Sequence, residues 1–430
     1  MTSFQFIAAS TAKPHINNAP LQYKAPFGLA PTTIGVSLPV NGLEPPRIAV
    51  IGAGAAGAAC AAGLLRAGFD VTVFDKSRGL GGRMATHRAQ WADASGSAHV
   101  AEFDHGCSQF TATRPRFQAT VKRAEALGYA SRWSQQVYAA FPLPRERQVV
   151  VPTPNMPAFC RHLLSGVPLR LGHAVTGLQR CPGGWLLHLA DDHAEGRTEG
   201  PFEQVLLTIP PAQAAMLLAG HQNDWAAALA AVRMAPRWTL MAVTDDLDWP
   251  WDAAEIDESE RGELAWIGRN DRAPGRRITA GLVPWVAHAT SAWSLAHLED
   301  DPADVCKALR AALEKKLPRG LPVRWHHAGV HRWRYAQLAN PAAGGFDCWW
   351  SAGLGLGVCG DSFGDGTVEA AWCSGDELAD AVAASLDDTL DVQTVETADT
   401  TENVDTADSA KTAKTAKTTE AEPELADSTH

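Results

Sequence analysis

The sequence predicts an α/β fold in which a parallel, doubly wound sheet is interrupted by a second domain built on a mixed sheet. Three observations predict it. A strand, a glycine-rich turn, a helix and a second strand follow one another within residues 47–76. A further glycine pair, Gly81 and Gly82, comes directly after them. A strand, a Gly-Asp step and a helix then stand at residues 353–380, near the far end of the folded body. Segments that complete one layer from both ends of a chain leave the middle for another domain.

The bulk properties permit this and narrow the function. A chain of 430 residues, 46% of them hydrophobic, can bury two ordinary cores. A net charge of −11 gives no electrostatic reason to seek nucleic acid or anionic lipid. The 8 cysteines form no CxxC pair, which is neither a zinc pattern nor a small disulfide scaffold. No metal site and reduced thiols in a cytoplasmic protein are therefore expected. No stretch reaches the ~18 consecutive apolar residues of a membrane span, and the N-terminus lacks the form of a secretory signal.

Along the chain, residues 1–46 are rich in Pro, Asn, Thr and Gly and read as a poorly ordered extension. "RIAVIGA" is a buried strand, "AAGAACAAGLLRAG" a helix ending at Gly68, and "DVTVFDK" a second strand. "VPLRLGHAVTGLQRCPGGWLLHLA" alternates around a Pro-Gly-Gly turn and reads as antiparallel strands. "FEQVLLTIPPAQAAMLLAG" is a strand stopped by Pro210 and Pro211, then a helix. "DPADVCKALRAALEKKL" has a helical period, with Asp301 or Asp304 as its cap. "VEAAWCSGDELADAVAASL" is the last helix. Residues 386–430, almost without large apolar side chains, read as a disordered acidic tail.

The first motif is a dinucleotide-binding βαβ unit. Gly52 permits the tight turn, Gly54 lets the backbone approach a pyrophosphate, and Gly57 lets the helix pack against the sheet. Ala55 and Ala56 open the helix, whose free N–H groups and dipole favour phosphate. Asp75, followed by Lys76, stands where an acid binds the hydroxyls of an unphosphorylated ribose, which suits FAD or NAD.

The choice between them comes from a resemblance. "SRGLGGRMATHR", with Gly81, Gly82 and Arg83, resembles the second glycine motif of the flavin-containing amine oxidase superfamily. "GLGVCGDSFGDGTVEAAWCSGDELADAV" resembles that superfamily's last FAD segment. The resemblance implies a discontinuous Rossmann-type FAD-binding domain, amine-oxidase/hydroxybenzoate-hydroxylase-like, from residues 47–110, 152–212 and 325–385. It leaves residues 111–151 and 213–324 for the mixed-sheet substrate domain. It implies non-covalent FAD held by Gly360 and Asp361, with Val368, Glu369 and Ala370 opening the last helix at the flavin ring and Val175 at adenine. Cys359 and Cys373 lie close enough in sequence to keep a covalent link open.

"FDHGCSQFTATRPRF", "VPTPNMPAFCRHLL", "AWIGRNDRAPGR", "VAHATSAWSLAHLE" and "HRWRYAQ", in that order, resemble the renalase family and its bacterial relatives over most of residues 47–384. That resemblance implies an oxidase that passes hydride from 2- or 6-dihydroNAD(P) to flavin and then reduces O2 to H2O2. A small-molecule substrate and O2 are then the expected partners, and the chain a monomer or homodimer. Asn270, His288 and Arg334 are the candidate catalytic residues. Asn270 could instead hold a turn, His288 could be a core histidine, and Arg334 could pack on Trp333. His105 could face the flavin or hold a turn. Where relatives carry Gln-Tyr this chain has Ser108-Gln109, which puts the substrate class in question. An amine oxidase is the alternative, although Thr367 stands where its aromatic cage has Tyr and only Trp349 and Trp350 could supply a wall. An FAD-binding protein without turnover is a third reading.

Overall fold

The computed structural model describes residues 45–139, 145–190, 196–256, 262–277, 279–317, 322–340 and 347–401, with residues 386–401 described by backbone alone. The expected N-terminal extension and residues 402–430 lie outside these residues, apart from Pro45 and Pro46.

The first half of the chain runs β1 (Arg47–Ile51), α1 (Ala55–Arg66), β2 (Asp70–Asp75), β3 (His87–Ala92), β4 (Ala98–Phe103), α2 (Pro115–Ala126), β5 (Ala130–Ala139), β6 (Arg145–Pro152) and α3 (Pro157–Leu163). Next come β7 (Leu169–Leu171), β8 (Val175–Cys181), β9 (Gly184–Leu189), β10 (Arg197–Phe202), β11 (Gln204–Leu207), α4 (Pro211–Leu218) and α5 (Asn223–Ala230). Then follow β12 (Met234–Asp245), β13 (Ala253–Glu255), β14 (Leu264–Arg269), β15 (Leu282–Ala289), α6 (Ser291–Ala296) and α7 (Pro302–Glu314). The chain closes with β16 (Trp325–Leu338), β17 (Trp349–Ser351), β18 (Leu356–Val358) and α8 (Val368–Thr401).

The expected βαβ unit forms, and it is the middle of a six-stranded sheet ordered β17-β18-β11-β1-β2-β7. β1 pairs in parallel with both β2 and β11, and Ile48, Ala49 and Val50 are fully buried. A strand covered on both faces must be a continuous apolar run, which is what "IAVI" supplies. One face is covered by α1 and α8, which cross so closely that a Cβ at Gly375 would lie 2.1 Å from the Ala56 carbonyl oxygen. The other face is covered by the sheet β10-β9-β8 and by α4, with Trp185, Leu187 and Leu218 packed on Phe74 and Val205.

The second layer is a seven-stranded sheet, β16-β12-β15-β14-β13-β5-β6. Trp238, Leu240 and Trp285 on one face pack against Val305, Leu309 and Leu313 of α7. The Asp301 carboxylate caps that helix, accepting from the Ala303 N–H at 2.7 Å, while Asp304 lies in its first turn.

Several expected boundaries move. β16 does not join the parallel sheet. It pairs antiparallel with β12 from Met234↔Leu338 to Thr244↔Trp325, so residues 325–338 belong to the mixed sheet. α2 and α4 go the other way: Phe117 and Val121 pack with Phe159 and Trp372 in the core beside α1, and Leu217 and Leu218 join the opposite face of the parallel sheet. In the alternating stretch, only β8 and β9 make the antiparallel pair across the Pro-Gly-Gly turn, and β7 instead pairs in parallel with β2. The last helix runs on to Thr401, into the segment expected to be disordered. No Gly or Pro stands between Ser385 and Thr401, so a helix nucleated by the packed residues before it meets no local stop.

Candidate active site

A cavity of about 1630 Å³ runs from the carboxyl ends of β1 and β2 to the inner face of the seven-stranded sheet. Ligand cavities usually enclose roughly 300–1,000 Å³, so there is room for a dinucleotide and a second molecule. At one end stand Asp75, Lys76 and Val175, then Gly52, Gly54, Ala55 and Ala56, then Gly81, Gly82 and Arg83, and beyond them Gly360, Asp361 and Val368. The positions expected to hold FAD thus form a continuous wall, with three exceptions described below.

The backbone here is shaped for a close ligand. Gly52 has φ +118°, donates its N–H to Phe74 O at 2.7 Å, and would place a Cβ 2.6 Å from Thr208 Oγ1. A Cβ at Gly57, which lies behind the wall and does not line it, would fall 1.9 Å from Gly52 O. A Cβ at Gly54 would meet nothing within 4 Å, so the cavity itself lies against this bare backbone. α1 starts there with no side-chain cap, leaving its first N–H groups for an anion. Asp75 fixes the turn, its Oδ2 accepting from Ala53 N at 2.7 Å and its Oδ1 from Ser77 N at 2.7 Å. The dinucleotide fit thus rests on the open glycine cradle and the uncapped helix.

Arg83 and Asp361, residues from opposite ends of the chain, form a two-bond pair at 2.7 and 2.6 Å. Burial opposes the Arg83 charge, but the Asp361 carboxylate outweighs it and raises its pKa. Val368 and Ala371 face the cavity from α8. Glu369 and Ala370 do not, contrary to expectation. Ala370 faces Gly364, and Glu369 turns toward the start of α2, accepting from Thr113 N, Thr113 Oγ1 and Arg114 N at 2.6–2.7 Å. Those bonds hold its pKa below the ordinary carboxylate range against the effect of burial. A helix start presents its residues around a full circle, so three consecutive positions cannot all face one cavity. Cys359 and Cys373 are buried and free, and burial raises both thiol pKa values.

The far wall is the sheet face opposite α7. Its register brings Trp266 of β14, His288 of β15, Thr239 of β12 and His331 of β16 into one cross-strand row. Directly paired residues share a face, and all four line the cavity. Arg237 and Trp333, paired with each other one step along the same face, line it too. His105 leans over the row from the turn after β4, stacked on Trp333 at 5.0 Å and edge-on to His331 at 4.7 Å. Burial, reinforced by nearby His331, takes the His105 pKa down to about 3. Burial and then the Arg237 guanidinium take His288 to about 3 as well. Both imidazoles are neutral near pH 7.

Of the expected catalytic residues, only His288 faces inward from this wall. Asn270 does not reach the cavity. Its Oδ1 accepts from Asp104 N at 3.1 Å and its Nδ2 donates to Glu102 O at 3.0 Å, so its amide ties the segment after β14 to the end of β4. That is the turn-holding alternative for "RNDRAPG". Arg334 lies at the rim, exposed, with both terminal nitrogens on Glu299 at 2.6 and 2.9 Å. Trp349 and Trp350 supply no cavity wall: Trp349 packs on Trp225 and Phe363, and Trp350 donates to Ser385. Thr367 lines the cavity, and its hydroxyl accepts from Ala370 N. Ser108 and Gln109 also line it, with the Gln109 amide doubly bonded to Gln135 at 2.9 and 2.7 Å. Thr239, Arg237, Trp266 and His331 were not legible as site residues. Their only signal is the alternation of "PRWTLMAVT", "LAWIGR" and "HHAGVHRWRYAQ", which does not say which face is the wall.

The fold and its glycine-lined cavity define a flavin-dependent oxidoreductase with FAD as cofactor. A model of the NAD(P)-binding Rossmann-like domain matches residues 50–124, and a model of the flavin containing amine oxidoreductases matches residues 141–383. The second match covers more than half of the sequence, and the chain belongs to the flavin-containing amine oxidoreductase family. Among solved structures, it is similar to one described as a protoporphyrinogen oxidase from Exiguobacterium sp. 255-15, with 12% identity, TM-score 0.59, and coverage of 80% of this chain and 100% of that one. Putrescine oxidase bound to putrescine matches with 11% identity and TM-score 0.53 over 79% of this chain and 99% of its own. Reduced UDP-galactopyranose mutase matches with 11% identity and TM-score 0.57 over 79% and 96%. At such identities these three show the shared fold. No helix among the described residues is long and apolar enough to cross a membrane.

Proposed function

We infer that the protein is an FAD oxidase of the renalase type, converting 2- or 6-dihydroNAD(P), a proton and O2 to NAD(P)⁺ and H2O2. The observation that carries this reading is the charge of the cavity wall. Among the described lining residues stand Lys76 and seven arginines against Asp75, Glu102 and Asp361. Arg83 is paired with Asp361, Arg147 with Glu255, and Arg332 and Arg334 with Glu299, so the excess of positive charge includes Lys76, Arg88 and Arg161. On the seven-stranded sheet the wall carries Arg147, Arg237, Arg332 and Arg334, of which Arg147 is paired with Glu255 and Arg332 and Arg334 share Glu299. Such a wall attracts a substrate bearing phosphates and repels a protonated amine.

Bound FAD supplies the hydride acceptor and passes the electrons on to O2. The chain's part is to bind, orient and keep out water. Trp266 and Trp333 give flat apolar surface for a planar ring. Neutral His105 and His288 add polarity to the wall without adding charge. A dihydropyridine is driven by aromatisation, so no nucleophile or strong base is required.

Mixing the yellow holoprotein with substrates without O2, while following flavin absorbance, tests the reading. Fast bleaching by 2- and 6-dihydroNAD(P), and none by 4-dihydroNAD(P) or a panel of amines, is expected. Bleaching by an amine alone would overturn it and make the chain an amine oxidase. Bleaching by nothing would leave an FAD-binding protein without this turnover.

A further inference from the structure

Three polar atoms on the cavity wall are buried and have no hydrogen-bond partner among the described residues: Thr239 Oγ1, His288 Nε2 and His105 Nδ1. Thr239 is 0% exposed and His105 6%. Buried hydroxyls and imidazoles almost always find partners, because an orphan loses its water bonds without compensation. One orphan could be an accident of packing. Here Thr239 and His288 are directly paired across β12 and β15, and His105 covers the same row from the turn after β4. All three residues line the cavity at the sheet end, away from the glycine cradle.

We propose that Thr239, His288 and His105 form a head-group subsite that recognises an uncharged carboxamide on the substrate ring. A hydroxyl and two neutral imidazoles offer both donors and acceptors, and a primary amide needs both. The two histidines stay uncharged near pH 7 because they are buried, with Arg237 beside His288 and a second imidazole beside His105. An ammonium head group would meet that same positive neighbour. A carboxylate would gain from Arg237, but it has no N–H to give the acceptor atoms of the row and pays its own desolvation. Asn270, the other polar candidate, is not available for this, since it spends its amide on Glu102 and Asp104. The subsite deepens the dihydronicotinamide reading, which it presupposes only in the choice of ring.

Three probes that differ only in head group test it: benzamide, benzoate and benzylamine, titrated into the FAD-loaded protein by calorimetry and by the flavin absorbance shift. Benzamide is expected to bind tightest, by about tenfold over each of the others. T239V keeps the shape and removes the hydroxyl. It is expected to weaken benzamide by about tenfold, leave benzylamine unchanged, and leave the melting temperature equal or higher, since it removes an orphaned buried group. H288L is the second variant, and it should likewise weaken benzamide selectively. Benzylamine or benzoate binding tightest would overturn the proposal. So would T239V and H288L that bind benzamide like the parent. The result separates from the reaction itself: selective, Thr239-dependent benzamide binding together with no bleaching by dihydronicotinamides would keep the subsite and discard the reaction. Bleaching without that selectivity would do the reverse.

Discussion

Arg276 offers the sharpest test of how the site is held. Its side chain is 1% exposed, and Asp104, its partner at 2.6 and 2.7 Å, is 0% exposed. The same guanidinium donates to the carbonyls of Pro152, Pro154 and Pro274 at 2.7, 3.2 and 2.9 Å. It therefore joins the end of β6 and the segment after β14 to the turn that carries His105. R276M removes the charge and most of the donors while keeping bulk. Asp104 keeps the Thr86 hydroxyl at 2.6 Å and the Asn270-bound backbone, but no counter-charge. Removing one partner of a buried pair typically costs about 3–5 kcal/mol, a large part of the roughly 5–15 kcal/mol that holds a domain together. Urea unfolding of the holoprotein should show that loss as a lower midpoint at unchanged slope. The double variant D104N/R276M should lose less than the sum of the two single losses, by about 2 kcal/mol or more. A loss under about 1 kcal/mol for R276M, or strict additivity, would refute the claim that this pair braces the turn.

Other outcomes follow from the same geometry. G57A places a methyl carbon against Gly52 O, 1.9 Å away, and should purify without FAD while α1 and its strand still fold, as shown by an absent flavin band and a retained far-ultraviolet spectrum. The pKa values of His105 and His288 are depressed to about 3, against about 6.5 in an unfolded chain. Their contribution to stability is therefore full above pH 6.5 and lost as pH falls toward 3. By pH 5 each accounts for a loss of up to about 2 kcal/mol, and H288L should flatten part of that slope in urea titrations at pH 7 and 5. The excess of lining cations, Lys76, Arg88 and Arg161 among them, should steer a phosphorylated substrate. Raising salt from about 0.05 to 0.5 M should therefore lower kcat/KM for 6-dihydroNADP several-fold, and a rise instead would remove the electrostatic argument.

Much of the cofactor end was legible because local chemistry dictates it. Gly52, Gly54 and Gly57 sit where a turn and two close approaches leave no room for a side chain, and such needs show in the sequence. Asp301 as a cap and Gly68 after α1 were readable for the same reason: each acts within a few residues of itself. The substrate end was not. Thr239 becomes part of a wall only because β12 pairs with β15 in one register and with β16 in another. A slip of one residue would turn it into the core beneath α7. Glu369 was misplaced by one helical position. Asn270 looked like a ligand because nothing in "GRND" shows that its amide bonds go to Glu102 and Asp104. Nothing local assigns β16 to its sheet, because its partner β12 lies far away in sequence. The helix beyond Ser385 was missed because composition speaks to burial, and α8 enters that segment already formed.

The most direct measurement is product stoichiometry in air. The FAD-loaded protein is given 6-dihydroNAD in an oxygen electrode, with H2O2 and NAD⁺ assayed at completion. One O2 consumed, one H2O2 and one NAD⁺ formed per substrate is the expected result. No O2 uptake with dihydronicotinamides, together with aldehyde and H2O2 from an amine, would contradict it.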